Sequence, residues 1–462
     1  MTAMTFLAPA DKAPYGLGTA DDLYRLPRDR VVLPGDDRYA VSRQVWNGAV
    51  DRRPAAIVSC ETAADVAIAV SAAGEQGLPL SVRGGGHDWA GRALCDDGLV
   101  IDLAMMRRID INSQTRVATV GGGARGTDLI AAAARYGLAP VTGNCGSVGM
   151  AGLTLGGGYG PLSPRYGLAA DNLLGAEIVL ADGRRVTANA LDHPDLYWAL
   201  RGGGGNFGVV TAMRISLHPV HDVLAGFILF PWAEADVVLR RYAELVSTAP
   251  DHLEIATGLI PSPDGDPMLF LAPTWCGLPA LGQPILDRLR RFGTPVVARV
   301  GLMTCADLAG MYDAEVVRGR HYAIQTRWLA EMTEEAIDWI VAAGSHRTSR
   351  YSALVIRHFH GQPARIAPRE TAFGLRREHF LVEAIAAWEP GNGVDGPIHR
   401  QWARRLSEAL APIALPGGYA NILGPDEHEQ IAHTYGDNIV RLRRVKRVFD
   451  PDGVFSAIPL PL

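Results

Sequence analysis

The sequence predicts an α+β protein with two kinds of folding unit. Three observations support this. Strand and helix patterns alternate through the first half, glycine runs stand where several of those strands end, and beyond Val220 the pattern changes to paired strands with occasional helices. Alternation followed by strand pairs is typical of two domains whose sheets are covered by helices. A chain of 462 residues is long enough for both.

The first half opens with a buried strand in AAIVSC (55–60), followed by a helix whose start is marked by Thr62 and Asp65, the pattern of a capping box. Another helix is predicted to begin near Thr127. Further strands are predicted in LPLSVR (78–83), GLVIDL (98–103), RVATV (116–120) and the segment after RGGGGNFG (201–208). GAEIVLADGRRVTA (175–188) predicts a hairpin, because Asp-Gly is a favoured two-residue turn.

The second half predicts an antiparallel sheet with helices on one face. Its predicted strands are AGFILFPW (225–232), LEIATGLI (253–260), MLFLAPTW (268–275) and segments near 322–328, 351–360 and 380–388. Its predicted helices cover 235–246, 284–292, a stretch from Glu334, 397–411 and 439–450. The chain is expected to return to the first domain near Leu415.

Composition narrows the functional classes. The net charge is −5, so no excess of positive charge indicates a nucleic-acid or membrane partner. Nearly all basic residues are arginine, a bias typical of GC-rich bacterial genomes that carries no functional information. MTAMTFLAPADKAPYG (1–16) has no basic, apolar export pattern, and the five cysteines are scattered, so a cytoplasmic location without disulfides is expected. No C-x-x-C or H-E-x-x-H spacing indicates a metal. Oligomeric state is left open.

Glycine runs recur at the ends of the predicted strands, at 84–86, 121–123, 156–158 and 202–205. Successive backbone N–H groups without Cβ atoms form concavities that suit a pyrophosphate, so several such loops favour a dinucleotide ligand. GGGARG (121–126) fits the Rossmann spacing in part, but the richest glycine segment is GNCGSVGMAGLTLGGGYGPLSPRYGLAADN (143–172). A single Rossmann site would not require that second segment.

Four segments together resemble the FAD-linked oxidases of the vanillyl-alcohol oxidase / p-cresol methylhydroxylase superfamily, most closely its berberine-bridge-enzyme-like branch. They are SVRGGGHDWAG (81–91), the glycine segment 143–172, LRGGGGNFGVVT (200–211) and RLRRVKRVFDPDGVF (441–455). The resemblance is specific in the first 217 residues and the C-terminal segment, and weaker between them. It implies a two-part FAD-binding domain, residues 1–217 and 415–462, around a substrate-binding domain, residues 218–414.

The resemblance implies two covalent bonds to the flavin. In this branch the histidine of the GGGH loop bonds to the 8α carbon, a place held here by His87, and a cysteine in C-x-[ST]-V-G bonds to C6, a place held by Cys145. Imidazole and thiolate are both competent nucleophiles for such bonds. Val148 stands where relatives admit dioxygen to the flavin; alternatively, it only packs in the core. The remaining cofactor-binding residues expected are Arg83, Gly84, Gly85, Gly86, Asp88, Gly146, Ser147, Gly149, Gly152, Gly157, Gly158, Tyr159, Gly208, Val209, Tyr419 and Asn421.

The catalytic base is the least determined part of the site. Many relatives carry Y-x-N-Y in the returning segment, but here Tyr419 and Asn421 are followed by Ile422, which cannot accept a proton. Glu383, in an apolar strand, is costly to bury unpaired and is a second candidate beside Tyr419. Glu383 is alternatively a solvent-facing residue or the partner of Arg327 or Arg357. His358 and His360, two apart on one strand face, are either base candidates or rim residues.

The leading interpretation is an oxidase that transfers hydride to tethered FAD, reduces dioxygen to hydrogen peroxide and acts on a bulky secondary-metabolite intermediate. Alcohol oxidation, desaturation and oxidative ring closure all fit this interpretation. A carbohydrate oxidase is the alternative enzyme, although Ile422 disfavours it. A flavin-binding protein without turnover and an NAD(P)-dependent dehydrogenase are the alternatives from other classes.

Overall fold

The computed structural model describes residues 25–391 and 396–461. The N-terminal stretch 1–16, in which no export signal is expected, lies outside these ranges. Within them, no helix combines the length and apolar character that crossing a lipid bilayer requires.

In the described ranges the chain forms seventeen strands in three sheets. Strands β1 to β17 are, in order, Val31–Val32, Ala56–Ser59, Leu80–Arg83, Leu99–Asp102, Ile109–Asn112, Val117–Gly121, Leu173–Val179, Arg185–Asn189, Val209–Ser216, Asp222–Pro231, Leu253–Pro261, Pro267–Trp275, Val297–Thr304, His321–Leu329, Ala353–Phe359, His379–Trp388 and Ala414–Leu415.

Fourteen α-helices lie in the same ranges. Helices α1 to α14 are, in order, Tyr39–Ser42, Ala63–Glu75, Gly126–Ala134, Met150–Leu155, Ser163–Tyr166, Pro194–Leu200, Ala235–Val246, Pro279–Leu289, Cys305–Gly310, Glu334–Ser345, Gln362–Arg365, Gly396–Leu410, His428–His433 and Ile439–Phe449. Short 3-10 turns cover Arg28–Arg30, Ala169–Asn172, Trp232–Glu234, Ala411–Ile413 and Gly436–Asn438.

The first two sheets carry the glycine loops. The smaller has the order β1-β2-β4-β3, with β2 and β3 both parallel to β4, and the larger has the antiparallel order β5-β6-β9-β7-β8. Helix α2 joins the two sheets, because Val66 and Val70 share a core with Ile101 on one side and with Val179 and Val209 on the other. The expected capping box is present: the Thr62 hydroxyl accepts from Asp65 N–H, and the Asp65 carboxylate accepts from Thr62 N–H.

The third sheet has eight antiparallel strands in the order β13-β10-β12-β11-β15-β16-β14-β17. Helices α7, α8, α10 and α12 cover one of its faces through a core that includes Leu239, Leu286, Ile337 and Leu406. The opposite face turns toward the glycine loops. The predicted α+β class and the antiparallel sheet with helices on one face are therefore confirmed.

The C-terminal segment packs against the five-stranded sheet of the N-terminal half. The last strand, β17, pairs with β14, so the chain leaves the eight-stranded sheet only after Leu415. Helix α14 then packs Leu442 and Val445 into the core of the five-stranded sheet. Buried Lys446 donates to the carbonyl oxygens of Asn206 and Phe455, which fixes the C-terminus beside a glycine loop.

Two details of the eight-stranded sheet differ from the sequence-based expectation. Strand β13 was not predicted; it is an edge strand with mostly exposed residues, and its sequence, VARVGLMT, lacks a buried apolar pattern. Helix α8 spans Pro279–Leu289 rather than 284–292, because Pro279 stands in its first turn, where the missing N–H of proline costs nothing.

Candidate active site

A cavity of about 450 Å³ lies between the glycine loops and the open face of the eight-stranded sheet. One wall is largely backbone, since ten glycines contribute to it. These are Gly84, Gly85, Gly86, Gly122, Gly143, Gly149, Gly152, Gly204, Gly205 and Gly208. The opposite wall is made of side chains from β11, β12, β14, β15 and β16.

Two of the glycine loops are in direct backbone contact. A Cβ atom on Gly85 would lie 2.3 Å from the Gly149 nitrogen, and a Cβ atom on Gly149 would lie 2.4 Å from the Gly85 nitrogen. Neither position can hold a side chain without moving backbone. The loop 84–86 and the loop 145–149 can therefore approach this closely only because both positions are glycine.

This contact brings the two predicted attachment residues together. The Ser147 hydroxyl lies 2.8 Å from His87 Nε2 and 3.0 Å from Cys145 Sγ, so the three side chains form one hydrogen-bonded chain at the cavity wall. Burial lowers the pKa of His87 to about 4, and the positive charges of Arg125 and Arg318 act in the same direction. The imidazole is therefore neutral near pH 7 and retains a nucleophilic lone pair.

Aromatic stacking and the returning segment hold the GGGH loop in place. The His87 ring stacks on Trp46 with 5.5 Å between centroids, and Trp46 stacks on Tyr322 of β14 at 3.9 Å. Trp89 Nε1 donates to the carbonyl oxygen of Ile422 over 2.6 Å. The GGGH loop and the two residues after it thus contact both the eight-stranded sheet and the C-terminal segment.

Most of the residues predicted to bind a cofactor line this cavity. They are Gly84, Gly85, Gly86, His87, Asp88, Cys145, Val148, Gly149, Gly152, Tyr159, Gly208, Tyr419 and Asn421. Six others stand behind the wall: Arg83, Gly146, Ser147, Gly157, Gly158 and Val209. Of these six, Arg83 pairs with Asp102 over 2.6 Å, and Gly157 would press a side chain against Phe373. Both therefore have local structural roles.

Tyr419 is buried, and its hydroxyl accepts two hydrogen bonds. Its hydroxyl oxygen accepts from Gly158 N–H at 2.9 Å and from Asn421 Nδ2 at 3.0 Å. Both lone pairs are then occupied, so the hydroxyl proton is left for a group in the cavity. Burial raises the pKa of Tyr419 against the opposing effect of those two hydrogen bonds, which keeps the phenol protonated.

Glu383 lies on β16 and faces the cavity. It pairs with Arg357 of β15, whose Nε is 3.3 Å from Glu383 Oε2, and both side chains line the wall. The second suggested partner, Arg327, lies on the other face of the sheet, where it binds Ser407 and Glu429.

The histidine candidates lie away from the cavity. His358 and His360 stack on each other at 4.4 Å, and neither lines the main cavity. They border a separate space of about 20 Å³ together with Glu254 and Arg357. Burial lowers the pKa of His358 to about 3, with His360 and His379 acting in the same direction, so His358 stays neutral.

Some lining residues were not among the predicted site residues. Gly122, Gly204 and Gly205 belong to glycine runs that the sequence does show, so they could have been included. Phe455, Ser456, Ala457 and Ile458 carry no glycine signal, and only the return of the C-terminus places them here. Tyr312 and Glu315 reach the cavity from the loop after α9, for which no sequence pattern gives a location.

The wall formed by the glycine loops suits a dinucleotide. Backbone groups without Cβ obstruction line an extended surface, as binding of a pyrophosphate and a flat ring requires. Asn144 also lines the cavity, and its buried Oδ1 has no partner among the described residues, so it can accept from a bound polar group. The residues present therefore fit FAD.

Comparison with known proteins also indicates FAD as the cofactor. Residues 54–189 match the family model described as an FAD binding domain, and residues 418–458 match the model described as berberine and berberine like. The chain is 31% identical over 442 residues to (R)-6-hydroxynicotine oxidase of Paenarthrobacter nicotinovorans, covering 92% of this chain and 94% of that protein. The chain belongs to the berberine-bridge-enzyme-like family of FAD-linked oxidoreductases.

Two further family members extend the comparison. FAD-linked oxidoreductase hasG of Aspergillus fumigatus is 36% identical over 473 residues, covering 95% of this chain and 98% of that protein. The crystal structure of berberine bridge enzyme from Eschscholzia californica superimposes with a TM-score of 0.85 at 21% identity, covering 96% of this chain and 99% of that one. The latter likeness concerns the fold. The predicted family and enzyme class are confirmed.

Proposed function

We propose that this protein is an oxidase in which FAD is bonded to His87 and Cys145 and in which a bulky, largely aromatic small molecule is oxidised on the sheet side of the cavity. The observation that carries the proposal is the Cys145–Ser147–His87 chain, at 3.0 and 2.8 Å, in the glycine wall of a cavity whose opposite wall holds Glu383. One relative is named (R)-6-hydroxynicotine oxidase, and a solved structure at 25% identity is of an oxidoreductase that catalyses the terminal step of gilvocarcin biosynthesis. Both names agree with a bulky substrate from secondary metabolism.

His87 and Cys145 would hold the cofactor, and the glycine loops would accommodate it. When bound, FAD accepts a hydride from a substrate carbon and passes the two electrons to dioxygen, which becomes hydrogen peroxide. Val148 lines the cavity beside Cys145, and its small side chain leaves room for dioxygen.

Glu383 and Tyr419 have different roles in the proposal. Glu383 is the base, because it lines the cavity and its Oε1 makes no hydrogen bond to a described residue, so the carboxylate can accept a substrate proton. Tyr419 stays protonated and orients a bound group by donating a hydrogen bond to it from the hydroxyl. Two tethers would also allow the cavity to stay open to large molecules.

The lining supports this proposal over a carbohydrate oxidase. Ile260, Phe270, Ile324, Leu381 and Ile385 make much of the sheet wall apolar, and Ile422 adds to it. A sugar needs hydrogen-bonding groups along most of its surface, whereas an aromatic ring system buries well against such a wall.

The test separates turnover from passive flavin binding. The purified protein is photoreduced without oxygen and then mixed with air. We expect reoxidation within seconds and one hydrogen peroxide for each flavin. Reoxidation that takes many minutes, as for a flavin without an oxygen-reactive site, would contradict the oxidase assignment.

A further inference from the structure

The ring of His87 has one hydrogen-bond partner among the described residues. That partner is Ser147, whose Oγ lies 2.8 Å from Nε2. A single hydrogen bond fixes the place of one ring nitrogen but leaves the ring able to turn about that contact, so packing must fix the plane of the imidazole. The plane matters for a bond to the flavin, because a ring nitrogen attacks along its lone pair, which lies in the ring plane.

Trp46 provides this packing. Its ring is stacked on His87 with 5.5 Å between centroids and 16° between planes, and it is also stacked on Tyr322 with 3.9 Å and 17°. Offset, nearly parallel rings are a favourable arrangement. Trp46 Nε1 is buried and has no partner among the described residues, so the ring of Trp46, and not its N–H, accounts for the contact with His87.

The backbone around Trp46 holds the stack between two parts of the molecule. The Trp46 N–H donates to the Gly86 carbonyl oxygen at 2.8 Å. Asn47 is only 3% exposed, and its Nδ2 donates to the carbonyl oxygens of Trp89 at 2.7 Å and Tyr322 at 2.9 Å. The segment is thus bonded to the GGGH loop and to β14 at once. All of these contacts are made by the chain itself, so the plane of the imidazole does not depend on a bound group.

We propose that Trp46 is a positioning residue that holds the His87 imidazole in the plane from which it bonds to the flavin. This inference rests on the proposed function. When His87 bonds, its N–H and one C–H bond of the 8α-methyl group break and an N–C bond forms. The two electrons and two protons released reduce one dioxygen to hydrogen peroxide. A ring already held in the attacking orientation reacts faster than one that turns freely.

The test separates the two covalent bonds. In a Cys145→Ala background only His87 can bond to flavin, and in a His87→Ala background only Cys145 can. The full-length chain is prepared without flavin from a riboflavin-starved host and mixed with FAD in air, and its mass after acid denaturation gives the rate. Trp46→Leu should slow attachment by about fivefold in the first background, the effect of one ring–ring contact. It should leave the second unchanged, because the described contact of Cys145 is with Ser147.

Further variants assign the effect to the ring. Trp46→Phe keeps a ring for stacking but has no N–H, so His87 should attach at close to the wild-type rate. Tyr322→Leu removes the ring on which Trp46 is stacked and should also slow the His87 bond, which decides the question if Trp46→Leu does not fold. Trp339→Leu is the control, because Trp339 is 46% exposed on helix α10, on the face away from the cavity, and its loss should change neither rate.

The orientation of the ring is also measurable without any covalent bond. In flavin-free protein with isotope-labelled histidine, the ring current of Trp46 shifts the His87 Cε1–H resonance, which is assigned by its loss in His87→Ala. Trp46→Leu should move this resonance, and Trp339→Leu should not.

Three results of the attachment test would overturn the inference: an unchanged rate for His87 in Trp46→Leu, equal slowing in both backgrounds, or a Trp46→Phe rate as low as that of Trp46→Leu. Wild-type protein that never bonds flavin would instead contradict the proposed function. The resonance would then still decide on Trp46, since an unmoved His87 signal in Trp46→Leu would show that Trp46 does not orient the ring.

Discussion

The two walls of the cavity are built from different materials. The wall on the N-terminal side is backbone, and its shape depends on positions such as Gly85 and Gly149 where no side chain fits. The wall on the sheet side consists of side chains that alternate along regular strands, such as Val355, Arg357 and Glu383. In the glycine wall, the positions of the glycines determine where the backbone can approach a ligand closely. In the sheet wall, the strands fix where each side chain lies, and the side chains supply the reactive and binding groups.

The two walls are therefore expected to differ in how well they tolerate amino-acid substitutions. A substitution at Gly85 or Gly149 moves backbone and therefore affects cofactor binding and folding together. A substitution at a cavity-facing strand position leaves the ladder of hydrogen bonds intact and alters the chemistry alone.

The largest effect should follow from closing the contact between the glycine loops. Gly85→Ala places a methyl group 2.3 Å from a backbone nitrogen, so we expect destabilisation toward the upper end of about 1–3 kcal/mol and loss of flavin. The control is Gly74→Ala in helix α2, where nothing lies within 4 Å and a neutral or slightly stabilising change is expected. Thermal unfolding and the ratio of flavin to protein absorbance measure both. Equal values for the two variants would show that the contact does not matter.

On the sheet wall, Glu383→Gln should abolish the ability to accept a proton while leaving the fold unchanged. Glutamine keeps the shape but cannot take a proton, so peroxide release with the best aromatic substrate found in a screen should fall by about a hundredfold or more. Flavin content and unfolding temperature should stay close to the wild-type values. Glu315→Gln, a second carboxylate at the cavity, is the matched control and should retain most activity. Similar losses in both variants would remove Glu383 from the role of base.

A smaller effect is expected at Ser147, which links the two attachment residues. Ser147→Ala removes the hydroxyl that lies 2.8 Å from His87 and 3.0 Å from Cys145, and attachment of flavin should slow by about fivefold, the value of one hydrogen bond. Ser147→Thr keeps the hydroxyl and should attach flavin normally. Peptide masses over a time course of reconstitution give the rates. An unchanged rate in the alanine variant would mean that the chain of hydrogen bonds has no part in attachment.

The smallest effect concerns pH. The pKa of buried Glu254 is raised from 4.5 to about 7, so the folded state binds this proton more tightly than the unfolded state. Its contribution to stability is complete below pH 4.5 and disappears as the pH rises through about 7. The unfolding temperature of Glu254→Gln should therefore fall less over this pH range than that of the wild type. The difference between the two decreases should be on the order of a degree or two. Parallel pH profiles would contradict the raised pKa.

Sequence patterns predicted the glycine wall better than the sheet wall for a physical reason. Backbone approach demands glycine at particular positions, so runs such as 84–86 show directly in the sequence. Glu383 was noticed because a carboxylate interrupts an apolar strand, yet whether it would meet Arg357 or Arg327 depended on which face each strand turns to the cavity. Tyr312 could not be located, since tertiary packing alone brings its segment to the site. Phe455 lies in the segment 441–455 that resembles the family, but no sequence pattern marks it as a lining residue.

The central claim is that flavin is bonded to this chain through His87 and Cys145, and the intact mass of the denatured protein tests it most directly. The wild type should remain yellow in acid and carry the added mass of one FAD. His87→Ala and Cys145→Ala should each retain flavin through the other residue, and only the double variant should release it. A wild type that loses all its flavin on denaturation would contradict the account.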